Sequence, residues 1–259
     1  MKICIPTKDR IDIMTTHLFF DPKDVLIFVE PQEINEYIDT WPDYTFVNIE
    51  KNDNGIQYVR NFILNYATEN IIMADDDIYW FGKRNDKYRY DELINPSELL
   101  TEFNTHLKKS AICGLQPKGT SYFKNKQSNN QRLFINERFA YLRDFVGINT
   151  KYIYDNQIQY DNSLVHGEAE DLDFITQITA TNGTTLLDCQ YTFESKKSSP
   201  GGLEKIRKYK VCNLDDTEKM RISNISNKWG EQYLKYITAG NRQYVRIDHD
   251  KIRKNFNEK

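Results

Sequence analysis

The run Ile71-Ile72-Met73-Ala74-Asp75-Asp76-Asp77-Ile78 constrains this chain more than any other stretch. Four apolar residues lead into three consecutive carboxylates. A short continuous apolar run reads as a strand buried on both faces. Three adjacent Asp at its end are costly, because like charges repel and each needs water or a cation. A divalent cation that prefers oxygen ligands removes that cost, and it can also hold phosphate oxygens. The alternative is an acidic, solvated turn. The surrounding chain decides between them.

Upstream, strand and helix signals alternate. Lys2–Pro6 and Val25–Val29 are short apolar strands, the second stopped at Glu30-Pro31, where Pro cannot continue a ladder. A short helix is expected from Pro31 to about Tyr37, and a third strand over Tyr44–Ile49. Ile56, Val59, Ile63 and Tyr66 then recur at helical spacing, which predicts a helix from Gly55 to Ala67. This alternation argues for an α/β fold with a mostly parallel sheet covered on both faces. Ligands of such sheets sit at the carboxyl ends of strands. Arg10, Glu30 and Asp75–Asp77 all follow strand ends, so they are expected to share one crevice.

Downstream, residues 79–95 are aromatic and charged without a clear period. Pro96-Ser97-Glu98 opens a helix carrying Leu99, Leu100, Phe103 and Leu107. Ala111–Leu115 reads as a strand, Lys118–Gln131 as a flexible loop, and Gln131–Asn149 as further strands. Glu168-Ala169-Glu170-Asp171 begins a helix that Asn182-Gly183 stops. Acidic residues there also suit the helix dipole without any chemistry. Thr185–Leu187 and Tyr191–Phe193 form the last apolar strand. Lys196-Lys197-Ser198-Ser199-Pro200-Gly201-Gly202 is a basic, hinge-like loop. Residues 203–259 read as mainly helical, anchored by Trp229, Tyr233 and Tyr236.

At 259 residues the chain suits one large domain, here 1–202, with a C-terminal extension over 203–259. The extension holds 14 Lys+Arg and 8 Asp+Glu, a net of +6 against −3 for the whole chain. A basic part beside an acidic body suits a polyanionic partner, though ordinary surface charge is the other account. Four dispersed cysteines lack CxxC spacing, which points to reduced thiols in a cytoplasmic protein. The apolar runs predict no membrane span, and Met1–Pro6 is too short for a secretory signal.

Several pieces in order resemble the GT-A class of nucleotide-sugar glycosyltransferases. These are Pro6-Thr7-Lys8-Asp9-Arg10 after the first strand, Glu30 after the second, and the Gly55…Arg60-Asn61 helix start. The Asp75-x-Asp77 element and Glu170-Asp171 complete the set. More narrowly, Asn54-Gly55-Ile56-Gln57-Tyr58-Val59-Arg60-Asn61 with Ala74-Asp75-Asp76-Asp77-Ile78 resembles the TET-associated glycosyltransferases. The resemblance implies a GT-A-like, Rossmann-type sheet flanked by helices. It also implies sugar transfer to hydroxymethylated pyrimidines in bacteriophage DNA, in the host cytoplasm.

It implies residue roles as well. Asp75 and Asp77 would hold Mn²⁺ or Mg²⁺ on the donor diphosphate, with Asp77 the direct ligand and Asp75 toward the ribose or a bound water. Asp76 lies between them in the same nucleotide-sugar site. Arg60 would pair with the diphosphate or brace the Asp cluster, with Asn61 beside it. Thr7, Arg10 and Glu30 would surround the base and ribose, and Pro6 and Gly55 would shape the backbone there. Asp171 would be the general base of an inverting transfer, with Glu170 alongside. In a retaining enzyme Asp171 would position the acceptor instead. Lys196, Lys197, Lys205, Arg207 and Lys208 would grip DNA phosphates.

One departure stands out. Many such enzymes place a His ligand just after the last core strand, whereas here Phe193-Glu194-Ser195-Lys196-Lys197 has none. His166 and His249 are the only later histidines, and His249 is expected on the surface or folded back as a ligand. Lys196 or Lys197 could instead neutralise the diphosphate as the loop closes. Two other functions remain open from the residues: a transferase acting on glycan or protein, and a non-catalytic nucleic-acid-binding module of degenerate transferase fold. A metal nuclease or nucleotidyltransferase fits the Asp triplet but fits the Arg60-Asn61 and Glu170-Asp171 helices less well. Neither the donor sugar nor the oligomeric state is legible.

Overall fold

Short β-rich runs and amphipathic segments alternate through the computed structural model, which describes residues 1–84, 90–92, 97–118, 133–135, 142–164, 168–196, 214–239 and 242–257. The order is β1 (Lys2–Pro6), β2 (Val25–Val29), α1 (Ile34–Thr40), β3 (Thr45–Asn48), α2 (Gly55–Tyr66), β4 (Ile71–Ala74), β5 (Ile78–Arg84) and β6 (Tyr90–Glu92). Next come α3 (Ser97–Leu107), β7 (Ile112–Pro117), β8 (Leu133–Ile135), β9 (Phe145–Ile148), α4 (Thr150–Asp155), α5 (Glu170–Ala180) and β10 (Thr185–Ser195). The chain ends with α6 (Leu214–Trp229), β11 (Leu234–Ala239), β12 (Arg242–Ile247) and α7 (His249–Asn257).

The main sheet runs β3-β2-β1-β4-β9-β7-β10-β5-β6, with β8 also on β10. β1 to β4 are mutually parallel. β9 is antiparallel to both β4 and β7, while β7 and β10 are parallel. Only β5, β8 and β9 therefore run against the common direction. Alternation puts Ile3 and Ile5 on one face and Cys4 on the other. One face packs on α2 and α5 through Val59, Ile63, Phe174, Ile175 and Ile178. The opposite face packs on α1 and α3 through Tyr37, Leu99, Phe103 and Leu107.

Register decides what meets at the upper edge. Cys4 lies opposite Met73 and Pro6 opposite Phe28. The residues after β1, β2 and β4 therefore leave the sheet side by side. β9 runs the other way, with Phe145 opposite Ala74, so its entrance lies at the exit of β4.

Three expectations need adjusting. Residues 79–95 contain most of β5 and all of β6; β5 lacks a period because Tyr79 is exposed while Phe81 and Ile78 are core. The two apolar pieces at 185–193 form one strand as expected, β10, whose register with β7 jumps between Asp188 and Thr192. The C-terminal part holds the expected helices α6 and α7, and between them a β11–β12 hairpin. Tyr236 is not an anchor: it sits on the hairpin, 60% exposed. The loop 118–131 lies outside the described residues except Lys118.

The C-terminal elements pack on α5. Ile225, Tyr233, Ile247 and Ile252 form a small core with Ala169, against which Leu172 and Trp229 rest. At its centre Asp173 is fully buried. Its carboxylate accepts from Lys228 Nζ, Trp229 Nε1 and Gln177 Nε2, each at 2.8 Å. Removing it leaves the Trp229 Nε1–H without its acceptor and Lys228 with Asp161 as its remaining carboxylate partner. Asp173→Ala is expected to lower stability by about 2–3 kcal/mol, read as a shifted denaturant midpoint; an unchanged midpoint would mean α6 is not anchored there.

Candidate active site

The Asp triplet splits as the strand exits the sheet. Asp76 turns inward, 3% exposed, where Thr7 Oγ1 donates to Oδ2 at 2.6 Å and Arg10 Nη1 to Oδ1 at 2.5 Å. Arg10 also lies 3.7 Å from Asp77 Oδ2. Burial raises the Asp76 carboxyl above its ordinary range, with Arg10 and Thr7 opposing. The backbone around the triplet is tied down at several points. Thr15 N–H donates to Asp76 O (2.8 Å), Thr16 Oγ1 to Asp75 O (2.6 Å), and Lys196 N–H to Asp77 O (3.1 Å). Like-charged side chains thus sit on a backbone held from outside the strand.

Arg60 joins the two acidic elements. It projects from α2, 6% exposed. Its Nη1 donates to Glu170 Oε1 at 3.1 Å and to Asp171 Oδ1, while Nη2 lies 3.5 Å from Asp75 Oδ1. The guanidinium stands over the Tyr160 ring, 5.3 Å from its centroid, and Tyr160 stacks on Phe174 of α5 at 4.3 Å. An always-charged planar fork suits this three-way contact better than a lysine. The neighbouring residues of α2 hold the same wall. Asn61 donates to Tyr160 O and accepts from Tyr160 N–H, and Gln57 donates to Leu164 O. Asn61, expected at the nucleotide sugar, instead has its amide engaged by this loop.

Asp144 was not singled out by the sequence. It lies just before β9 in the left-handed region, with φ 61°. Its carbonyl accepts the Asp75 N–H at 2.7 Å. Its carboxyl is raised first by burial and further by the Asp171 and Asp77 charges. The Asp75 carboxyl is pushed well up by desolvation, then by Asp144, with Arg60 opposing. Burial and the Asp171 charge lift Glu170 to about 7. Among the described residues, Asp75, Asp76, Asp77, Asp144, Glu170 and Asp171 thus share three guanidinium groups, Arg10, Arg60 and, 3.7 Å from Asp144, the more exposed Arg143. Such a surplus of carboxylate oxygen fits a hard divalent cation.

The second expected cluster gathers beside β1 and β2. Glu30 is 3% exposed and accepts from Lys8 Nζ, Gln32 Nε2 and Asp53 N–H within 2.9–3.0 Å. Lys8 also bonds Asp53. Gly55 starts α2 at φ +82°, a conformation L side chains rarely adopt. Pro6 ends β1 next to Thr7.

Other expectations shift. His249 is neither a surface residue nor a ligand of the triplet. It is 6% exposed, bonded through Nδ1 to Thr179 Oγ1, and burial lowers its pKa to about 3. Thr179 lies nine residues beyond Glu170 on α5, about 13 Å along the axis. His166, Lys197, Lys205, Arg207 and Lys208 lie outside the described residues. Lys196 Nζ donates to Ile13 O at 3.1 Å, which ties the start of that loop to the segment that follows β1.

This sheet, with acidic residues at its strand ends, has the fold of GT-A glycosyltransferases. The crystal structure of GalNAc-T7 with UDP, GalNAc and Mn²⁺ is similar at TM-score 0.58 and 10% identity, covering 90% of this chain and 49% of that one. S. aureus TarS 1–349 in complex with UDP matches at TM-score 0.49 and 18% identity, over 99% and 70%. No curated protein matches the chain in sequence. The family model of the TET-associated glycosyltransferases matches residues 1–199, and the chain belongs to that family. It is a glycosyltransferase.

Glu170 gives a stability signature. Its folded pKa lies above its unfolded value, so between about pH 4.5 and 7 the folded state binds more protons than the unfolded one. Stability from this group is therefore complete below about pH 4.5 and falls as pH rises to 7. In metal-free protein, Glu170→Gln should flatten that decline by up to roughly 3 kcal/mol. Parallel wild-type and variant stability curves across this range would contradict the assignment.

Proposed function

We propose that this glycosyltransferase moves a sugar from a UDP-linked donor to the hydroxymethyl group of modified pyrimidines in DNA, in the cytoplasm, with Mn²⁺ or Mg²⁺. The observation that carries the reading is the shared guanidinium of Arg60, which joins Asp75 of the Asp-x-Asp element to Glu170 and Asp171. A donor held at one acidic element and an acceptor activated at the other need that proximity.

Asp75 and Asp77 would hold the cation, with Asp144 close by. When bound, the cation supplies Lewis-acid stabilisation of the leaving nucleoside diphosphate. Thr7, Arg10 and Glu30 would border the base and ribose. Asp171, 29% exposed at its side chain against 11% for Glu170, is the more accessible of the two acids. It takes the proton of the acceptor hydroxyl as that oxygen bonds to the anomeric carbon and the bond to the diphosphate breaks. Glu170 is more deeply buried and keeps Arg60 in place.

The acceptor reading is supported by the family and by the +6 charge of residues 203–259. We keep 1–202 as the catalytic part and 203–259 as the acceptor-facing part. The target base must leave its stack to reach the cleft. Tyr79, two residues past Asp77 and 41% exposed, offers it an aromatic face.

Incubation with UDP-sugars, Mn²⁺ and hydroxymethylated DNA, followed by nucleoside mass spectrometry, tests the reading. A hexosyl or pentosyl adduct is expected, lowered at least about a thousandfold in Asp75→Ala/Asp77→Ala. Transfer at the parental rate in that variant would overturn it, and turnover on oligosaccharides alone would reassign the acceptor. Neutralising Lys205, Arg207 and Lys208 together should reduce the log–log salt slope of DNA binding by roughly 3.

A further inference from the structure

A second set of side chains outside the cleft has the chemistry of metal ligands, and the transfer reaction does not use it. Glu102 and His106 are four residues apart on α3 and so share one face of the helix. Asp188 of β10 meets them there, its Oδ2 2.8 Å from His106 Nε2. A carboxylate oxygen from each acid and a ring nitrogen of the histidine all lie within 4.8 Å of one another. His106 and Asp188 are 5% and 1% exposed, and Glu102 is half-buried.

The carboxylate of Asp188 is also oriented from behind. β10 leaves its register with β7 directly after Asp188, and the Gln190 N–H turns back to donate to Asp188 Oδ1 at 2.8 Å. An outer hydrogen bond that fixes a ligating carboxylate is the usual support of a metal site. A hydrogen-bonded His–Asp pair would need no second acid, yet Glu102 brings another negative charge to the same imidazole. A cation reconciles the three.

We propose that Glu102, His106 and Asp188 form a second divalent-metal site, one that takes Zn²⁺ and ties α3 to β10. One imidazole nitrogen with two carboxylate oxygens suits zinc, which accepts mixed N/O ligands and leaves a fourth position for water. Mg²⁺ and Ca²⁺ favour all-oxygen sets. The half-buried Glu102 gives the ion a way in. The site is separate from the donor cleft. Because Asp188 pairs with Leu115 and Thr192 with the very next residue of β7, Gln116, Asp188 lies about four strand rises, roughly 13 Å, before Ser195, whereas the next residue, Lys196, is the one that meets Asp77.

The test uses the whole chain, stripped with EDTA and titrated with ZnCl₂. Wild type should bind zinc with a rise in Tm, and Asp75→Asn/Asp77→Asn should keep that binding. Glu102→Gln leaves the buried His106–Asp188 pair intact, and it should weaken zinc at least about tenfold. With Co²⁺ as the probe, wild type should gain visible absorption that Glu102→Gln lacks. Equal zinc affinity in wild type and Glu102→Gln overturns the proposal, as does the absence of binding. Loss of all binding in the Asp75/Asp77 variant also overturns it, because the ion would then sit in the cleft.

Discussion

The guanidinium of Arg60 is the interaction on which the cleft depends. Glu170, Asp171 and Asp75 come from elements far apart in sequence, and repulsion alone would separate them. One planar cation reaches all three. Its cost is that Arg60 is itself buried, and a buried charge is tolerated only when paired. Burial acts against the charged form of Arg60, and the Asp171, Tyr160 and Glu170 charges more than offset it, so its pKa rises well above the ordinary value. Cation and carboxylates therefore require one another.

Helix α2 converts that pairing into a fixed geometry. Gln57, Arg60 and Asn61 lie within two turns and all face the 160–171 wall. Tyr160 is the hinge of the contact: its backbone is gripped by Asn61, its ring lies under Arg60, and its other face stacks on α5. From the far side, Asp173 binds α5 to α6, and Asn224 Nδ2 donates to Glu168 O at 3.0 Å. The first turn of α5 is clamped from both directions. Ala169 ahead of it takes φ 72°, an uncommon conformation for a non-glycine residue that the packed surroundings must enforce.

Much of this was legible in the residues. β1, β2, β4, α2 and α5 announced themselves because each carries a local period or a sharp apolar run. Residues whose meaning depends on pairing did not. Asp144 becomes part of the cleft only because β9 enters antiparallel at the exit of β4; in sequence it is one acid before an apolar run. Asn61 was expected at the nucleotide sugar, yet its amide serves the Tyr160 backbone, a partner 99 residues away. The β11–β12 hairpin had a signal, Gly240-Asn241 between two β-rich runs. The amphipathic spacing of the whole 203–259 stretch gave a mainly helical reading instead.

The missing histidine after the last core strand gains a physical context from the same pairing. Where a histidine would add a neutral ligand, this chain brings Asp144 to the edge of the cleft, its carbonyl already bonded to the Asp75 N–H. Its carboxyl adds negative charge beside Asp75 and Asp77 rather than a neutral donor. Without a cation, burial first and those neighbouring charges second oppose ionisation of Asp75 and Asp144 and raise both carboxyls. A divalent ion would lower that repulsion. Arg10 and Arg60 cannot do so fully, because Asp76, Glu170 and Asp171 already occupy them. The acidic surplus that makes the apo cleft electrostatically strained is therefore the property that would draw a metal–diphosphate complex into it.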